Sequence, residues 1–158
     1  MPSSTLELRG FSHVCINVSD MELSLAFYRD VLGLRVIFDV ELAGEGLEAV
    51  TGEGGARGRM VGCLVPGSRV TVELLSFGHR APASRRGPSG GPGYSNIALT
   101  VVDLAAAWAA LEVRGARPQP PADVGGVRMF FVRDPDGTPI EIIEFPGGAL
   151  SSADHNGA

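Results

Sequence analysis

The sequence predicts an α+β fold built from two βαβββ modules, and two internal matches carry that prediction. Residues 10–20 (Gly-Phe-Ser-His-Val-Cys-Ile-Asn-Val-Ser-Asp) align without gaps on residues 93–103 (Gly-Tyr-Ser-Asn-Ile-Ala-Leu-Thr-Val-Val-Asp), agreeing at both ends and similar in chemistry at most positions between. Residues 72–77 (Val-Glu-Leu-Leu-Ser-Phe) lie over residues 140–145 (Ile-Glu-Ile-Ile-Glu-Phe) in the same way. A unit that opens and closes alike twice in one chain is a repeated structural module.

Each element follows from local pattern. Residues 1–9 form a lead-in, and residues 11–18 alternate as a strand, with Val14, Ile16 and Val18 on one face and Phe11, His13, Cys15 and Asn17 on the other. Ser19 or Asp20 can cap a helix over 21–32, with Leu23, Phe27 and Val31 as its apolar stripe and Gly33 as its stop. Strands are expected over 34–42, 47–50, 59–65 and 70–77, separated by turns at Gly44, 52–58 and Pro66-Gly67. Residues 78–93 hold little that packs and much that breaks structure, so they read as a linker or mobile loop that includes His79 and a solvated Arg85-Arg86 pair. Asp103 caps a second helix with Leu104, core Trp108 and Leu111, stopped by Gly115; strands follow over 127–132 and 140–145. One domain over 10–146 results, with modules 10–77 and 94–146. Residues 147–158 are small and polar and are expected to be disordered, with no role for His155.

Bulk composition narrows the function classes. The chain has 158 residues, 44% of them hydrophobic and 20% charged, which suits a single core. A net charge of −5 and a pI near 5.1 argue against a nucleic-acid or anionic-membrane partner. Cys15 and Cys63 have neither zinc-finger nor CxxC spacing, and no apolar run approaches the roughly 18 residues of a membrane span. The expectation is a cytoplasmic protein with reduced thiols.

Residues 134–145 pose the chemical question. Asp134-Pro135-Asp136-Gly137 has the composition of a tight turn, and in the strand behind it Glu141 shares a face with Ile143 and Phe145. A carboxylate among apolar groups needs a donor or a cation, or must be neutral. A duplicated unit paired about a local two-fold brings His13 to Asn96 and Glu73 to Glu141, all opposite the aliphatic rows. One imidazole, one amide and two carboxylates in a partly apolar cup suit a divalent metal. Leu75, Phe77, Ala98, Ile143 and Phe145 are expected to wall that pocket, with Cys15 beside His13 as a small buried hydrophobe. The competing readings are carboxylates paired with Arg59 and Arg128, a core histidine satisfied by backbone or water, and an Asn96 that orients Glu141 or a ligand.

These motifs, with Phe27-Tyr28-Arg29-Asp30-Val31-Leu32-Gly33-Leu34, resemble the vicinal oxygen chelate superfamily, which includes glyoxalase I, methylmalonyl-CoA epimerase, extradiol dioxygenases and bleomycin-resistance proteins. The resemblance covers about residues 10–146. It implies paired modules forming a cupped mixed sheet around one site, helices outside, and by analogy a homodimer. Carried over singly, His13, Glu73 and Glu141 match metal-ligand positions, while Asn96 stands where most metal-dependent members have a second histidine. That departure disfavours dioxygenase chemistry, which resembles a site of two histidines and one carboxylate. A set of His13, Glu73, Asn96 and Glu141 would suit Mg²⁺, Mn²⁺, Ni²⁺ or a similar ion better than zinc. Residues 46–50 (Gly-Leu-Glu-Ala-Val) are similar to the epimerase segment that carries a base, which makes Glu48, beside Glu41 and Glu45, a candidate with Glu141 for proton transfer.

The resemblance therefore implies a metal-dependent lyase or isomerase acting on a small carbonyl-containing substrate through an enolate-type intermediate. The alternative is a metal-free protein that binds an antibiotic or other natural product in the same cup.

Overall fold

The computed structural model describes residues 8–78 and 95–156. The linker expected over 78–93 lies, apart from Gly78, outside the described residues, as do His79, Arg85 and Arg86. Eight strands form two four-stranded mixed sheets. In the first, β1 (His13–Asn17) runs parallel to β4 (Thr71–Ser76), which pairs antiparallel with β3 (Arg57–Leu64), and β3 with β2 (Arg35–Ala43). In the second, β5 (Ile97–Thr100) runs parallel to β8 (Pro139–Glu144), followed antiparallel by β7 (Val127–Arg133) and β6 (Ala122–Val124). The strand orders β1-β4-β3-β2 and β5-β8-β7-β6 are the same order used twice, as the repeat requires.

The chain divides into two units, residues 1–21 with 33–80 and residues 22–32 with 81–158. The first helix therefore belongs with the second sheet. It comprises α1 (Met21–Leu25) and a π-helical continuation over Ala26–Val31, where the Leu32 amide reaches back to the Phe27 carbonyl at 2.9 Å. Its buried side chains are Met21, Ser24, Leu25, Phe27 and Tyr28, whereas Leu23 is 58% exposed. Of the stripe expected at Leu23, Phe27 and Val31, Phe27 is buried and Val31 half-buried, but Leu23 faces solvent. In the first unit, Ile16, Val61, Cys63, Val72 and Leu74 form the buried row of the sheet.

Three expectations are corrected. Residues 47–50 are not a strand but lie in α2 (Glu45–Thr51), bracketed by Gly44 and by Gly52 in the left-handed region at φ 73. Glu45 and Glu48 sit in its first turn, where carboxylates favour a helix. The C-terminal residues are ordered into a 3-10 turn (Pro146–Gly148) and α4 (Ser152–Asn156). There the Ser151 hydroxyl accepts the Asp154 amide and donates to its carboxylate, and Thr100 donates to the Leu150 carbonyl. Trp108, on α3 (Leu104–Val113), is half-buried rather than fully core, its indole N–H donating to the Gln119 carbonyl at 3.0 Å.

The turn at 134–138 is locked by its first residue. One oxygen of Asp134 accepts the Asp136 and Thr138 amides at 3.0 and 2.7 Å, and the other accepts the Tyr28 hydroxyl at 2.8 Å. This ties the first helix to the start of β8, with Arg114 donating to the Val31 carbonyl as a second tie. Burial pushes the Asp134 carboxyl above its usual range, against the pull of the Tyr28 and Thr138 donors.

Tyr28→Phe leaves the ring packing intact and removes a buried donor, so urea denaturation should show a loss of about 1–3 kcal/mol. A raised folded-state pKa means that the native carboxyl holds its proton at pH values where the unfolded one has lost it. Stability contributed at this position therefore falls as pH rises from the ordinary aspartate value to the raised one. The difference in unfolding free energy between wild type and Asp134→Asn, measured from pH 3.5 upward, should carry that slope and then level off.

Candidate metal centre

Register decides which side chains meet. Partners across a ladder share a face, so the rows of the first sheet can be read directly: His13, Thr71, Leu64 and Arg35; then Cys15, Glu73, Gly62 and Phe38; then Asn17, Leu75, Met60 and Val40. The opposite face carries Ile16, Leu74 and Val61 in the core. In the second sheet, Ala98, Glu141 and Phe131 form one row, and Thr100, Ile143, Met129 and Ala122 the next.

The same parity removes the expected arginine partners. Arg59 lies opposite Ser76, and Arg128 opposite Glu144, each on the face away from Glu73 and Glu141 respectively. Arg59 pairs with Asp39 at 2.7 Å and holds that carboxyl below its usual range; Arg128 pairs with Glu144 at 3.3 Å. Glu144 also accepts the Leu104 amide at the start of α3.

Glu73 meets a different set of groups. Its carboxylate lies 3.6 Å from His13 Nδ1 and 3.8 Å from Cys15 Sγ, and it accepts the Thr71 hydroxyl at 3.3 Å. The Ser12 hydroxyl lies 2.9 Å from the same His13 nitrogen. The His13 side chain is 42% exposed and that of Glu73 12%, so the carboxylate sits low and the imidazole opens to solvent. Cys15 is exposed, which corrects the expectation of a buried hydrophobe. Its thiol pKa is raised, first by partial burial and then by the adjacent Glu73 charge.

In the second unit, Asn96 donates its side-chain amide to Glu141 at 2.7 Å. The Glu141 partner sought in the sequence is therefore an amide, with both residues half-buried. Of the expected pocket residues, Leu75 and Phe77 are half-buried and Ala98 is exposed, while Ile143 and Phe145 are buried. The ring of His155, brought in by α4, lies 5.5 Å from that of Phe145. Glu48 stands on α2 and accepts the Gly55 amide at 2.9 Å.

The residues fit a divalent ion. Ligand atoms of His13, Cys15 and Glu73 all lie within 4.8 Å of one another. Donors on a tetrahedral ion with bonds of about 2.0–2.3 Å stand roughly 3.3–3.8 Å apart, so small side-chain adjustments suffice. Sequence reasoning missed Phe38, Thr71 and Ser12. The bulge between Val36 and Phe38 hides the face of Phe38 until its pairing is known, whereas Thr71 is readable as the residue two before Glu73 on its strand face.

The whole chain from the first strand to β8 belongs to one family. The pattern of the Glyoxalase/Bleomycin resistance protein/Dioxygenase superfamily matches residues 10–142, and the chain is a member of that superfamily. It is 30% identical over 153 residues to a lactoylglutathione lyase of Pseudomonas aeruginosa, covering 90% of this chain and 86% of that one. Among solved structures, a glyoxalase family protein from Bacillus cereus shares the fold with a TM-score of 0.76 at 22% identity, covering 90% of this chain and 97% of the other. An antibiotic binding protein from Streptomyces shares it with a TM-score of 0.62 at 20% identity, covering 89% and 98%. No described helix is long and apolar enough to cross a membrane.

A Cβ at position 62 would overlap the Phe38 ring, which lies across that glycine on the Glu73 face. Gly62→Ala should therefore cost about 1–3 kcal/mol in thermal or urea unfolding. Made in a Phe38→Ala background, the same change should cost little, and the coupling appears in the double-mutant cycle.

Proposed function

We propose that this chain is a metal-dependent lyase or isomerase acting on a small carbonyl-containing substrate. The observation that carries the reading is the donor cluster of His13, Cys15 and Glu73 on the solvent-facing side of the first sheet. A divalent ion bound there would polarise a substrate carbonyl and stabilise an enolate as a proton is removed. In this reading His13 and Glu73 hold the ion, and Glu141 is proposed to move the proton on the resemblance to the superfamily. Asn96 keeps the Glu141 carboxylate in one orientation by donating to Oε2, leaving Oε1 to take the proton. Glu48 is the less suitable base, because its carboxylate caps the turn at Gly55. The lactoylglutathione lyase at 30% identity supports a lyase or isomerase over an oxygenase, as does the asparagine in place of a second histidine. A homodimer is part of this reading by analogy with the superfamily.

Two observations favour a second reading, a metal-free protein that sequesters a small aromatic molecule. Asn96 already satisfies Glu141 without a cation, and the ring of Phe38 lies across Gly62 beside Glu73, with that of Phe77 against Gly58 on the same face. The likeness in fold to the antibiotic binding protein supports this reading.

Metal analysis separates the two. The purified full chain should carry or take up one divalent ion per chain at micromolar levels. His13→Ala or Glu73→Gln should abolish uptake, and Glu141→Gln should retain the ion while enolisation of a thiohemiacetal or acyl thioester falls by about 10²–10⁴. A wild-type protein that neither holds nor binds a metal, yet is thermally stabilised by aromatic natural products, establishes the binding role instead.

A further inference from the structure

We propose that Cys15 is itself a metal ligand, and that His13, Cys15 and Glu73 form a site for a thiophilic divalent ion such as zinc. The inference rests on the metal-binding reading of His13 and Glu73 and changes which ion that site selects.

Three observations support it. The parallel pairing of β1 with β4 sets Cys15 directly opposite Glu73, on the strand face it shares with His13. No adjustment of fold is needed to aim all three side chains together; alternation along β1 does it. The spacings are also compatible with coordination: the 3.6 Å from His13 Nδ1 to the Glu73 carboxylate and the 3.8 Å hydrogen bond to it from the Cys15 thiol are close to the separation of two donors on one tetrahedral ion. Finally, the charges balance. A neutral imidazole, a thiolate and a carboxylate contribute −2, matching a divalent cation, with the thiol proton passing to bulk water on coordination.

Comparison of the two modules strengthens the assignment. Where the first has His13, Cys15 and Glu73, the second has Asn96, Ala98 and Glu141. The nitrogen and sulfur donors are thus both placed on the first sheet. A site meant for magnesium has no use for a thiolate, because hard cations take oxygen ligands. Three protein ligands with one position left for a further donor is the arrangement of a reactive zinc ion. Thr71 donates to Glu73 Oε1 and steadies that carboxylate, while Oε2 faces the Cys15 sulfur. This departs from the expectation of a magnesium- or manganese-like ion drawn from the sequence.

Cobalt(II) makes the bond visible. The full chain, stripped with chelator and titrated with cobalt(II), should develop the near-ultraviolet thiolate-to-cobalt band together with the visible absorption of a tetrahedral ion, and zinc should displace both. Cys15→Ser should lose the thiolate band and bind cobalt at least about tenfold more weakly, since removing even a partner behind a ligand costs about 10–100-fold. Cys15→Ala serves as the second variant, because Ala98 occupies the equivalent strand position in the other module. Cys63→Ser should keep the band, as Cys63 is buried on the opposite face of the first sheet. Cobalt binding without a thiolate band in wild type, or a band that survives Cys15→Ser, overturns the ligand role of Cys15 and leaves the metal-dependent reading standing. Failure of both cobalt and zinc to bind overturns the two together.

Discussion

Parallel pairing of an edge strand with the last strand of its own module is the constraint from which the rest follows. In the first sheet it fixes Cys15 against Glu73, and in the second Ala98 against Glu141. Once those registers are set, strand alternation sorts every other side chain. The buried aliphatic row of Ile16, Val61, Val72 and Leu74 goes to one face of the first sheet and the candidate ligands to the other, while Arg59 and Arg128 fall on the faces where they cannot neutralise Glu73 and Glu141. A slip of one residue in either pairing would bury the carboxylate in the core row and expose an isoleucine or leucine, so the hydrophobic pattern and the donor cluster enforce one another.

Duplication then supplies two similar frames that have diverged in content. The carboxylate persists at both positions, but the first copy surrounds it with an imidazole, a thiol and the hydroxyl of Thr71, and the second with the Asn96 amide. An amide N–H satisfies a carboxylate without bringing positive charge, whereas a histidine and a cysteine beside a carboxylate leave donor atoms that a cation can gather. The two glutamates, equivalent in sequence, therefore have different neighbours: Glu73 an imidazole, a thiol and a hydroxyl, and Glu141 an amide.

How much of this was readable beforehand depends on which physical signal each residue carries. The strands and their faces were legible because alternation and the internal match are long-range patterns that survive errors of a residue or two at element ends. Residues 47–50 look like a strand because of Leu47 and Val50, whereas the carboxylates of Glu45 and Glu48 at a helix start, closed by Gly52, are the better signal. The C-terminal helix was hidden by small polar residues, although Ser151 and Asp154 have the spacing of a capping box. Arg59 and Arg128 suggest themselves as partners because charge complementarity is visible in a sequence and pairing across a ladder is not. The involvement of Cys15 required the pairing of β1 with β4, which no local pattern reveals.

An anomalous difference map from zinc-soaked crystals is the most direct measurement of the central claim. The account predicts a peak about 2.0–2.3 Å from an imidazole nitrogen of His13, the sulfur of Cys15 and a carboxylate oxygen of Glu73. A map whose zinc peaks all lie elsewhere, with Glu73 turned against a guanidinium, would contradict it.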